Sequence, residues 1–73
     1  MEVRDAGHAR EVYAQLRRAR ARLRELDAEY RAATGLFERG GAVAEAALVR
    51  ELATELRARL DRYLRAHGEP PLP

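Results

Sequence analysis

Apolar residues recur through the first half of the chain in steps that alternate three and four: Ala9, Val12, Leu16, Ala19, Leu23, Leu26, Tyr30, Ala33 and Phe37. That spacing keeps every member on one narrow stripe of an α-helix, the a/d seam of a coiled coil. A lone apolar stripe in water is unstable, so the pattern demands a second helix to cover it. Residues 42 to 67 supply one, with apolar positions Ala42, Ala46, Leu48, Val49, Leu52, Ala53, Leu56, Leu60, Tyr63 and Leu64. At 100° per residue these positions spread over about 160° of the helix surface. One neighbour covers an arc of only ~100°. Helix 2 therefore presents surface for two neighbours, and a second copy of the chain is the simplest one to supply.

The sequence predicts an all-α fold: one antiparallel helical hairpin over residues 1–73 that dimerises into a four-helix bundle. Asp5 reads as the N-cap, its carboxylate accepting from free amides of the first turn. Helix 1 is expected over about residues 5–34, the turn over 35–41, helix 2 over 42–67, and a disordered proline-rich tail over 68–73. Gly35 offers a stop in the left-handed conformation, although the seam spacing would also let helix 1 run on to Arg39 and end at Gly40. Gly40-Gly41 is the firmest punctuation in the chain. Leu36 and Phe37 are expected to fold back as a plug under the turn. A turn centred near residue 38 places Tyr13 near Tyr63, Leu16 near Leu60 and Tyr30 near Ala46. Gly68 followed by Glu69-Pro70-Pro71 ends helix 2.

Seventy-three residues bound how much core there is. Scaffolds below roughly 70–80 residues lean on disulfides, metals, oligomerisation or very regular helix packing. Cysteine is absent, which leaves regular packing and self-association. No apolar run approaches the ~18 residues of a membrane span, and the first residues lack the apolar stretch of a signal peptide. A soluble cytoplasmic protein is the expectation.

Charge changes the picture in one place. All 14 basic residues are arginine, yet the net charge is only +2, so both signs are interspersed along solvated faces. The cluster Arg17, Arg18, Arg20, Arg22 and Arg24 contains no acid and is the candidate contact for a polyanion or an acidic partner. The helical wheel splits it, with Arg17, Arg20 and Arg24 on one flank of the seam and Arg18 and Arg22 on the other. The expected register brings Glu51 and Glu55 opposite, so the first reading is a solvated face whose arginine stems shield the seam.

Other side chains carry little chemistry. His8 and His67 are the two histidines and read as surface residues. Of Tyr13, Tyr30 and Tyr63, the last two sit at seam spacing, so the tyrosines read as core residues with hydroxyls reaching water. Serine is absent, as is cysteine, so the usual nucleophile–base pairs cannot be written. No catalytic, metal-binding or cofactor-binding residue is assigned, and no small-molecule substrate is expected.

The functional expectation is a non-catalytic helical interaction or adaptor module that acts through self-association and partner-helix binding. Its core and interface residues are Val12, Leu16, Leu23, Leu26, Tyr30, Leu48, Val49, Leu52, Leu56, Leu60, Tyr63 and Leu64. A homodimer is expected, with room for a larger protein partner. The alternative is a small arginine-rich, nucleic-acid-associated protein that uses the stretch from Arg17 to Arg24.

Overall fold

The computed structural model describes residues 2–72. They form two α-helices, α1 (Ala6–Ala32) and α2 (Leu36–Ala66), packed antiparallel into a rod of 48 × 19 × 17 Å. The ends of the expected lead-in and tail, Met1 and Pro73, lie outside the described residues. Among the described residues no helix is long and apolar enough to cross a membrane.

Helix α1 starts where the sequence places it. The Asp5 carboxylate accepts from the His8 amide at 2.8 Å, satisfying one of the orphan donors of the first turn. That bond, more than the neighbouring charges, holds the Asp5 carboxyl below its usual range. At the other end Ala33 turns extended (φ −72°, ψ 135°) while its amide still bonds the Glu29 carbonyl at 2.9 Å. The Ala33 carbonyl accepts from Nε of Arg39 at 3.0 Å, and the Arg39 guanidinium lies over the Tyr30 ring, 5.5 Å from its centroid. One side chain from α2 thus ties down the last turn of α1.

The turn is shorter than the glycines suggest. Helix α2 begins at Leu36, not at residue 42, and Gly35 is its N-cap in an extended conformation (φ −95°) rather than a left-handed one. Gly40 and Gly41 lie inside the helix. A helix-interior glycine costs about 1 kcal/mol relative to alanine, whereas each residue added to an existing helix gains a backbone hydrogen bond. With the reversal already complete at Ala33–Gly35, helix propagation through the pair wins. Leu36 and Phe37 do not fold under the turn; they stand on the first turn of α2, 84% and 94% exposed.

Moving the turn to Thr34 also slides the register. Each α1 residue faces a position about eight residues earlier on α2 than expected, roughly 12 Å along the axis. Arg22, which a hairpin centred at residue 38 would set opposite Thr54, instead meets Glu45.

The main buried cluster is small and lies toward the open end of the hairpin. Val12, Leu16, Leu56 and Leu60 form one buried cluster, with Val3, Ala9, Ala53 and Leu72 packed against it. Ala19 and Leu26 are buried as well. Leu23, Val49, Tyr63 and Leu64 are half-buried, whereas Tyr30, Leu48 and Leu52 are exposed. Gly68 ends α2 with φ 71°, the left-handed conformation that glycine adopts without strain. The chain beyond it, expected to be disordered, folds back along the hairpin. The Leu72 amide donates to Asp61 at 3.4 Å and its carbonyl accepts from Arg57 at 3.1 Å.

Candidate interaction surfaces

Among the described residues two uncovered surfaces stand out. The first is a row on α2: Phe37, Gly41, Ala44, Leu48 and Leu52, stepping by four, three, four and four. On a helix these residues share an arc of about 80°. It lies on the flank of the face that covers α1, which is why the single chain does not bury it. Leu48 is 68% exposed and Leu52 49%. At Gly41 nothing beyond the adjacent residues and the helix's own backbone lies within 4 Å of the place a Cβ would occupy, so the row carries a gap between two large side chains.

The size of the whole surface agrees with this. The chain exposes 5493 Å², where a compact monomer of its mass exposes about 4,600 Å². The difference, about 900 Å², is the extra surface that two helices drawn out into a 48 × 19 × 17 Å rod leave uncovered.

The second surface is an open groove of about 670 Å³ along α1. Arg10, Arg17, Arg18 and Arg24 line it, and no acidic residue does. Its apolar lining includes Tyr13, Ala14 and Ala21, with Leu64 and Leu72 at the end near the tail. The structure therefore regroups the arginine cluster. Arg18, expected on the opposite flank, joins Arg17 and Arg24, and Arg10 joins from outside the cluster. Arg20 is half-buried and does not line the groove.

Arg22 leaves the cluster for the other side of the hairpin. Its guanidinium bonds Glu45 at 2.7 Å, Glu25 at 3.1 Å and Glu29 at 3.4 Å. The Glu45 bond raises the Arg22 pKa most, and the same bond holds the Glu45 carboxyl below its ordinary range. Glu45 is the acid that crosses to α1, where Glu51 and Glu55 were expected. Glu55 pairs instead with Arg59 one turn along its own helix, because the register slide carries it past the cluster. Among the described residues Arg17, Arg18, Arg20 and Arg24 make no ion pair.

The histidines are taken up locally. Nδ1 of His8 accepts from the Arg4 amide at 3.1 Å, and the His67 ring stacks on Tyr63 with centroids 4.2 Å apart. Among the described residues no three of His, Asp and Glu come together in a way that could hold a metal ion.

Sequence reasoning missed Phe37, Gly41 and Arg10 as surface determinants. The signal for Arg10 is present in the chain, since Arg10, Arg17 and Arg24 stand at seven-residue steps. Phe37 continues the α1 spacing across the turn, which masks its place on α2. Comparison with known proteins finds no matching family model, no matching curated protein and no matching solved structure.

Proposed function

We propose that the chain is a non-catalytic helical interaction module that works as a homodimer, the α2 row of one copy packing on the α2 row of another. The supporting observation is the uncovered run of Phe37, Leu48 and Leu52 beside the open space at Gly41. The row is self-complementary when it runs antiparallel to itself about a point between Ala44 and Glu45. Phe37 of one copy then lies against Leu52 of the other, and Leu48 lies against Gly41. A large side chain facing a missing Cβ on both sides of a twofold axis is the interdigitation that helix packing favours. The product is a four-helix bundle with α2 at its centre. It also gives the glycine inside α2 a use that its cost to the helix does not explain.

Sedimentation equilibrium at micromolar concentration tests this. The unsubstituted chain is expected to be a dimer, and Leu48→Asp a monomer of unchanged helical content, because Leu48 contributes little to the single hairpin. A fully folded, compact single copy of the unsubstituted chain would overturn the proposal.

A further inference from the structure

The geometry points to a second binding site, independent of self-association: we infer that the groove along α1 docks an acidic amphipathic α-helix from another protein. Arg10, Arg17 and Arg24 follow one another at seven-residue steps, so they form a row with members about 10.5 Å apart along the helix. A helix lying alongside repeats at the same interval. Glutamates at every seventh position would meet the three guanidinium groups in turn, the arrangement by which flanking charges select a partner helix. Arg31 is next in the row, but it is held by Asp27 at 3.1 Å. Among the described residues Arg10, Arg17 and Arg24 make no ion pair, so the stretch open to a partner ends at Arg24 and matches a segment of about three heptads.

The floor specifies a helix rather than a strand of phosphates. Ala14 and Ala21, themselves seven residues apart, run beside the arginine row, with Arg18 on the far rim. Small residues there let another helix approach to the 8–10 Å at which helices pack. Tyr13, Leu64 and Leu72 give one end an apolar patch. A nucleic-acid backbone would pair with the arginines and leave that apolar floor wet. Its charge comes every ~1.7 Å of duplex axis, which requires no heptad spacing. An acidic amphipathic helix satisfies both parts of the groove, its carboxylates on the rim and its apolar stripe on the floor.

The probe is a fluorescein-labelled synthetic helix of about three heptads, with leucine and alanine on one face and glutamate at every seventh position. It is titrated with the full-length protein and read by fluorescence anisotropy, at about 50 and 200 mM salt. Saturable binding is expected, falling at least roughly tenfold in the double variant Arg17→Glu, Arg24→Glu and equally when glutamine replaces the peptide glutamates. Leu64→Ser is expected to weaken the peptide as well, whereas Arg65→Glu, outside the groove, leaves it unchanged. Circular dichroism of each variant separates lost binding from lost folding. Absence of saturable binding at low salt overturns the inference. So does an equal loss in Arg65→Glu, which marks diffuse attraction, or tighter binding of a duplex DNA carrying the same charge. The titration is repeated in the Leu48→Asp background, where binding is expected to be retained; its loss there would overturn the independence of the site from the α2 contact.

Discussion

The two ends of the hairpin divide its apolar residues differently. Toward the open end Val12, Leu16, Leu56 and Leu60 meet in a sealed cluster, and Val3 and Leu72 close over it from the chain ends. Toward the turn α2 offers α1 the small or β-branched residues Ala42, Ala46 and Val49, while Leu36, Phe37, Val43 and Leu48 stay exposed. Both regions are regular helix, so secondary structure does not separate them. The difference lies in where the large side chains sit on α2. The open end holds the hairpin together, and the turn end leaves large apolar side chains uncovered.

The largest expected effect tests that contrast directly. Leu56→Ala should cost about 2–5 kcal/mol of folding free energy, the usual range for a buried leucine truncated to alanine. Leu48→Ala in the same single hairpin should change stability by less than about 0.5 kcal/mol, as surface substitutions do. Denaturant melts followed by circular dichroism, at concentrations below those that favour association, measure both. Equal costs would abolish the distinction between the ends.

A smaller effect of opposite sign is expected at the glycine pair. Gly40→Ala should raise stability by about 0.5–1 kcal/mol, since the site is helical and nothing beyond the adjacent residues and the helix's own backbone lies within 4 Å of the new methyl. Gly41→Leu, which also meets open space in one copy, should leave the hairpin folded and, if the proposed α2 packing holds, weaken association by filling the space that packing gives to Leu48. Sedimentation of the two variants side by side reads this out.

The smallest effect is electrostatic. Glu45 and Asp5 both have carboxyls held below their ordinary range in the folded chain, by Arg22 and by the His8 amide respectively. A depressed folded-state pKa gives stability that is fully present above the unfolded value and is lost as the pH falls through the folded one. Thermal melts should therefore be flat down to about pH 5 and decline below about pH 4. Arg22→Gln should remove the part of that decline due to Glu45. Because these groups are exposed, added salt should shrink the effect.

Much of this was legible in the chain. The heptad steps from Ala9 to Leu26 specify α1 and its buried face, and the Asp5 cap and the Gly68 terminator sit where local chemistry puts them. What misled was competition between local and cooperative terms. Gly40-Gly41 is the stronger turn signal by composition, but Thr34-Gly35, reinforced by Arg39 reaching back to Ala33 and Tyr30, had already reversed the chain. The later pair was then carried along by a helix already under way. That single displacement moved the register, sent Arg22 to Glu45, and left Phe37 in water. The groove beside α1 was hidden for another reason. Splitting the arginines by wheel angle ignores the reach of a long side chain, so Arg18 on the far flank still lines it.

Glu2 pairs with Arg62 at 2.8 Å while Leu72 is fastened to Asp61 and Arg57, so the chain enters and leaves at the same end of the rod. Anything appended to either terminus would hang from that base. The Arg39-locked bend would project as the tip of a prong, with the exposed Phe37 beside it. A tag or cargo fused at the base would leave the tip free to probe its surroundings, while one spliced in at Thr34 would blunt it.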